Sequence, residues 1–266
     1  MTLITSRQNP KIKQIRALSR RKERQKTGLF VVEGIRHVGE AVESGADIEY
    51  MLHAPDLLES DFAYSLLTKM KLKNVPVYTT TTDIFSDLAG RENPQGILGV
   101  VRQMDTSLST LNEENLRWGV VIENPQDPGN LGTILRTLDA AGGDGLIVIG
   151  SGTDIQHPKA VRASMGTVFW KPVVYVSMEE FKAWKKVHNY HLYGSSASGS
   201  EDYGMIGYQP PALLMLGSER EGLSNDLLSM CEAVVRLPMK GRATSLNLSV
   251  AAGILIYQMM HGLKSK

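Results

Sequence analysis

The spacing of apolar and polar residues changes period repeatedly along the chain. From Pro10 to about Gln25 the apolar residues Ile12, Ile15 and Leu18 return every third position with bases between them, which predicts one amphipathic helix. Strand-length runs rich in β-branched and aromatic residues follow at Phe30-Val31-Val32, Ile48 to Leu52, Val75 to Tyr78 and Ile97 to Val101. Between them, Val38 to Val42, Phe62 to Met70 and Asp83 to Ala89 carry helical spacing. This alternation predicts a small α/β domain over residues 1–102. Residues 103–117, with Ser107, Ser109, Thr110, Asn112 and Asn115, read as a polar linker.

The alternation resumes over residues 118–266 with more continuous apolar runs. Strands are expected at Gly119 to Ile122, Leu146 to Ile149, Val173 to Val176, His191 to Gly194, Leu213 to Gly217 and Val234 to Leu237. Helices are expected at Asn130 to Ala141, Pro158 to Met165 and Leu246 to about His261. Ser177-Met178-Glu179-Glu180 has the form of a capping box, so another helix should run from there through Val187. Near-continuous apolar strands between helices predict a parallel sheet covered on both faces.

Composition adds little to this picture until charge is considered by position. The 266 residues, 42% hydrophobic and 21% charged, suit a globular chain of two modest domains. Cys231 is the single cysteine, so no internal disulfide and no cysteine zinc framework exist, which fits a reducing compartment. The first residues lack the apolar core of a secretory signal. The longest apolar stretch, Leu246 to Met260, is broken by Asn247, Ser249 and Gln258 and is shorter than the ~20 residues that span a bilayer. A cytoplasmic protein with no membrane partner is expected. The net charge of +1 hides nine bases between Arg7 and Lys26 opposed only by Glu23. Within this arm Arg7, Lys11, Arg20, Arg21 and Arg24 are candidate phosphate contacts; a solvated helix face is the competing reading.

Common nucleotide and hydrolase signatures fail. There is no Gly-Lys dipeptide for a phosphate-binding Walker loop, and Gly143-Asp144-Gly145 lacks the third glycine of a dinucleotide fingerprint. Gly194-Ser195-Ser196-Ala197-Ser198 lacks the closing glycine of a nucleophile elbow. His188 and His191 read as surface or packing residues, and no metal is expected.

Three segments in the second half place glycines and polar residues just past strand ends, where open α/β sheets bind ligands. They run from Glu123 to Thr137, from Leu214 to Leu223 and from Arg236 to Ala251. In order and spacing they closely resemble the three motifs of the SpoU (TrmH-type) family of RNA ribose 2′-O-methyltransferases. The first half is similar to that family's ribosomal-protein-like substrate-binding domain at Ser6 to Pro10, Phe30 to Gly34 and Asn93 to Gly96.

The resemblance implies a C-terminal α/β-knot (trefoil-knotted, SPOUT-type) domain over residues 118–266, S-adenosylmethionine as methyl donor, and a homodimer through the knotted domain. It places the donor at Gly217, Leu237, Met239 and Leu246, with Ser196 and Ala197 beside them. Gly217 would let backbone approach the donor, and the three apolar residues would wall it. Arg136 matches the family's catalytic arginine. A guanidinium is a poor general base, so orienting a phosphate and stabilising charge on the ribose oxygen is the favoured role. Asn130, Glu219, Ser245 and Asn247 match the other polar positions. Asn130 is expected to cap its helix, Glu219 to hold neighbouring loops, and Ser245 and Asn247 to start the last helix, so capping and bracing compete with catalysis for these four. The third motif has Leu237-Pro238-Met239 and Ser245-Leu246-Asn247-Leu248-Ser249 where family members often have isoleucine and valine, a volume-tolerant change. Ribosomal RNA, of the large subunit, is the expected substrate. Transfer RNA, or a non-catalytic RNA-binding protein that keeps the fold, are the alternatives.

Overall fold

The computed structural model describes residues 2–90 and 92–264. The chain forms two compact units. One comprises the chain up to Met104 together with Gln156–Trp170; the other comprises Asp105–Ile155 and the chain from Lys171 onward.

The first unit is built from β1 (Thr2–Ile4), α1 (Pro10–Ala17), α2 (Arg21–Thr27), β2 (Leu29–Glu33), α3 (Ile35–Glu43), β3 (Ile48–His53), α4 (Asp61–Leu72), β4 (Val77–Thr80), α5 (Thr82–Leu88) and β5 (Ile97–Arg102). Its sheet has the order β1-β4-β3-β5-β2, with β5 antiparallel to both neighbours. The single helix expected from Pro10 to Gln25 is two helices. Asn9 caps α1 by accepting from the Lys11 N–H at 2.9 Å. The chain then turns because the Arg24 guanidinium donates to the carbonyls of Leu18 and Ser19, both at 2.8 Å, groups a continuous helix would have used. The family-like pieces Phe30 to Gly34 and Asn93 to Gly96 meet here. Gln95 accepts from the Ile35 N–H at 3.0 Å, and a Cβ on Gly96 would lie 2.8 Å from the Ala54 carbonyl oxygen. These residues therefore join the start of α3 to the entrance of β5.

The second unit contains β6 (Trp118–Glu123), α6 (Pro128–Ala140), β7 (Gly145–Ile149), β8 (Val173–Val176), α8 (Met178–Val187), β9 (His191–Ser195), β10 (Glu201–Asp202), β11 (Ala212–Leu216), α9 (Asn225–Leu228), β12 (Ala233–Arg236) and α10 (Leu248–Lys264). Helix α7 (Pro158–Ser164), which precedes β8 in the chain, packs on β2 of the first unit. The sheet is parallel throughout, in the order β10-β12-β9-β11-β6-β7-β8. Every residue of β6 is buried, as two-sided coverage requires. The capping box at Ser177 and Glu180 forms with both of its hydrogen bonds, at 3.1 and 2.7 Å. Helix α10 packs on α6 and β11 and buries Ala252, Leu255, Ile256 and Met259.

The polar stretch expected as a linker packs against this unit. Leu111 and Leu116 are buried in its core, and the Leu111 carbonyl accepts from the Trp184 indole N–H at 3.0 Å. Two leucines among polar neighbours have no period to betray them. Among the described residues no helix is long and apolar enough to cross a membrane.

Candidate active site

Because the second sheet is parallel, the loops leaving its strands emerge on one rim, and those after β12, β9, β11 and β6 start side by side. Two carboxylates stitch the loops after β6 and β11 together. Glu123 closes β6 and is buried, so it needs a partner, and it accepts from the Ser224 N–H at 2.8 Å. Glu219, in the loop after β11, accepts in return from the N–H groups of Gln126 (3.0 Å) and Asp127 (3.3 Å) and from the Asn130 side-chain amide (2.9 Å). Partial burial would raise the Glu219 pKa. The bonds from Asn130, from its own backbone N–H and from Gln126 and Asp127 together outweigh this and hold it below the ordinary 4.5.

Asn130 reaches Glu219 because another residue caps the helix. The cap is Asp127, which accepts from the N–H groups of Gly129 (2.6 Å) and Asn130 (3.1 Å), with Pro128 at the first helical position. The expected capping role of Asn130 is thereby corrected. Arg136 is exposed on α6, two turns beyond the cap, and makes no hydrogen bond or ion pair among the described residues.

Gly217 is buried, and its own loop supplies a reason for a glycine in addition to the expected one. Ser218 and Gly222 exchange two backbone hydrogen bonds, at 3.2 and 3.1 Å, that fold the loop back on β11, and a Cβ on Gly217 would run into the backbone of Gly222 and Leu223. Closure of its own loop demands the glycine. After β9, the Ser196 N–H donates to the Val235 carbonyl at 3.0 Å, and a Cβ on Gly199 would lie 2.6 Å from the Val234 oxygen, so this loop rests on β12. Ser196 is half-buried and Ala197 exposed.

After β12, Leu237 is half-buried and every residue from 238 to 247 is exposed, among them Met239 at 37% and Leu246 at 39%. Asn247 ends this loop by capping α10: its Oδ1 accepts from the Ser249 N–H at 2.9 Å and the Ser249 hydroxyl at 2.7 Å. The helix therefore starts at Leu248, two residues later than the spacing predicted, and Ser245 stays in the open loop. The structure thus joins Asn130 to Glu219 directly and starts the Ser196, Gly217 and Leu237 loops on adjacent strands. Among the described residues Arg136 and Ser245 form no hydrogen bond or ion pair with these groups.

The basic arm is less uniform than its sequence. Arg7 pairs with Asp87 at 2.6 Å, the Lys11 ammonium lies 4.2 Å from the centre of the Tyr50 ring, and Arg20 is exposed. Arg21 is half-buried. Arg24 is only 2% exposed, with its guanidinium engaged by the Leu18 and Ser19 carbonyls, which corrects its place among the phosphate contacts. His191 pairs with Glu232 at 2.8 Å, and His188 with Glu113 at 3.0 Å. The Glu113 pKa falls to about 2 because the N–H groups of Asn189 and of Glu113 itself, followed by the His188 ring, stabilise the carboxylate. No cluster of His, Cys, Asp and Glu able to hold a metal ion occurs among the described residues.

Sequence reasoning missed Glu123 and Asp127 as site-building groups. The signal was present: a carboxylate ending a wholly apolar strand must be paired, and an aspartate before a proline and a helical run is a cap.

Both halves of the chain match known proteins. Residues 117–257 match the SpoU rRNA Methylase family, and residues 9–99 match the MRM3-like substrate binding domain. A 23S rRNA (uridine(2479)-2′-O)-methyltransferase of Streptomyces viridochromogenes is 33% identical over 263 residues, covering 96% of this chain and 90% of the relative. The 23S rRNA (guanosine(2553)-2′-O)-methyltransferase RlmP of Bacillus subtilis is 33% identical over 261 residues, covering 97% and 99%. The crystal structure of an AdoMet-bound rRNA methyltransferase from Sinorhizobium meliloti superposes with a TM-score of 0.88 at 33% identity and covers 98% of both chains. With the three loop motifs on one parallel rim and both units matched, the chain belongs to the SpoU rRNA methylase family.

Proposed function

We infer that the chain transfers a methyl group from S-adenosylmethionine to a ribose 2′-hydroxyl of RNA, and that this RNA is large-subunit ribosomal RNA. The observation that carries the reading is the Glu219 cross-link, which holds the first-motif loop and Asn130 against the second-motif loop. Both relatives described above act on 23S rRNA, which supports the choice of substrate.

The residues at the rim fit the donor. Leu237, Met239 and Leu246 provide apolar surface on a loop otherwise open to solvent, and the loops at Ser196, Ala197 and Gly217 add backbone groups beside it. The donor supplies an electrophilic methyl group on a sulfonium. The protein's part is alignment and charge. The exposed Arg136 guanidinium grips an RNA phosphate with its planar fork and stabilises negative charge growing on the ribose oxygen. Asn130 and Glu219 keep the loops in place, Asn247 does so at the start of α10, and Ser245 stands in the open loop just before it. Rate then comes largely from positioning.

The same reading assigns RNA binding to residues 1–102 and catalysis to residues 118–266, and sets the work in the cytoplasm, where ribosomal RNA is found. It also takes the C-terminus as knotted and the chain as a homodimer. β11 lies between β9 and β6, two strands that precede it in the chain, and α10 returns onto α6 and β11, which supports a knot. Val250, Ile254 and Tyr257 form an exposed apolar stripe along α10, which supports a second copy as its cover.

Single-turnover transfer of labelled methyl to large-subunit ribosomal RNA, with donor binding measured by calorimetry, tests the reading. Arg136→Ala should lose about 10²–10³-fold in rate while still binding donor. Wild-type turnover by this variant removes Arg136 from the mechanism.

A further inference from the structure

A cavity of about 110 Å³ opens in the first unit, where α1, β2, the end of α5 and α7 converge. Leu18, Val31, Leu88 and Val161 form its apolar walls. Two opposite charges, Glu33 and Arg162, are among its lining residues, both close to Gly90. The Glu33 carboxylate accepts from the Gly90 N–H at 2.9 Å, and a Cβ on Gly90 would come within 3.5 Å of the Arg162 guanidinium and 3.6 Å of the Glu33 carboxylate. Both Cβ separations are ordinary contact distances, so Gly90 lies packed against the two charged groups.

The dimensions select the kind of occupant. The cavity is well below the ~300–1,000 Å³ of a site for a whole drug-sized ligand. It holds the volume of roughly four waters at ~30 Å³ each, enough for one planar heterocycle but not for a nucleotide. The surroundings select its chemistry. Lys13, Arg16 and Arg20 are exposed on α1 and the turn after it, a segment that also supplies the buried wall residue Leu18. An apolar slot lined by a carboxylate and a guanidinium, on a unit whose first helix carries exposed cations for the phosphates, suits a base turned out of a single-stranded segment.

We propose that this slot receives one unstacked nucleobase of the RNA, a guanine or a cytosine, at a nucleotide other than the one methylated. The inference rests on the reading of the chain as an RNA methyltransferase. Glu33 accepts from the base's amino group and Arg162 donates to its ring carbonyl. Guanine and cytosine each carry both groups, whereas adenine lacks the carbonyl and uracil lacks the amino group.

The test uses the full chain and large-subunit ribosomal RNA purified from cells lacking the gene. Ultraviolet cross-linking followed by peptide mapping should join guanosine or cytidine to residues 15–19, 31–33 or 158–162. Leu88→Phe, which fills the slot, and Glu33→Gln, which keeps the shape and the acceptor for Gly90 but turns the second acceptor oxygen into a donor, should each raise KM for the RNA about tenfold. Neither should change kcat or donor affinity, and thermal unfolding of both should show that they fold. The proposal is overturned if wild-type cross-links fall only elsewhere or only on adenosine and uridine, or if both variants keep the wild-type KM. Wild-type protein that cross-links through the slot but transfers no methyl would leave the slot standing and refute the enzymatic reading instead.

Discussion

Glu219 is the residue on which the site's geometry turns, since its carboxylate alone bonds the first-motif loop at three donors. Glu219→Ala should release that loop and lower single-turnover transfer about 10–100-fold, by analogy with positioning losses elsewhere. Its side chain is exposed, so the stability cost should stay at about 1 kcal/mol or less, measurable as a small shift in denaturation midpoint. Wild-type transfer by this variant would show that the cross-link is incidental. The same carboxylate fixes a pH dependence. Its pKa in the folded protein lies below the ordinary 4.5, so its stabilising contribution is complete above that value and is lost as pH falls through the lowered pKa. Activity should therefore show no Glu219-linked loss down to about pH 4.5. Gly217 gives a contrasting lesson. Because a side chain there would strike the Gly222 and Leu223 backbone, a substitution disturbs loop folding together with any donor contact.

At the level of elements, the basic arm divides into a scaffold and a contact surface. Arg24 holds the turn between α1 and α2, whereas Arg20 is exposed on that turn. Arg24→Ala should cost about 2–3 kcal/mol in urea unfolding, because two carbonyls lose a charged donor, and should leave the salt slope of RNA binding unchanged. Arg20→Glu should do the reverse, keeping stability while reducing that slope by about 0.7–0.9. Similar salt slopes for Arg20→Glu and wild type would make the arm a solvated face. The strand and helix alternation was legible from apolar spacing because buried parallel strands and amphipathic helices repeat their pattern over many residues. Strand β1, with three residues, and α9, with four, are too short to show a period, and β10 consists of Glu201 and Asp202 alone. The break between α1 and α2 was hidden for another reason: it depends on where one long side chain folds back, which residue spacing does not encode. In the site, the three loop motifs stood out as polar insertions at strand ends. The pairing of Glu219 with Asn130 depended on two strands far apart in sequence becoming neighbours, and only the fold supplied it.

For the molecule as a whole, the exposed stripe of Val250, Ile254 and Tyr257 on α10 predicts self-association. By sedimentation velocity the wild type should run as a dimer and Ile254→Arg, which places a charge in the middle of the stripe, as a folded monomer; a dimer unchanged by the substitution would move the interface elsewhere. The central claim concerns the reaction itself, and mapping the methyl group by mass spectrometry tests it most directly. Purified protein, S-adenosylmethionine and large-subunit ribosomal RNA from cells lacking the gene should yield RNA carrying a new methyl group on a ribose 2′-oxygen, and Arg136→Ala should not. A methyl group on a base, or no methylation by folded protein that binds the donor, would contradict the account.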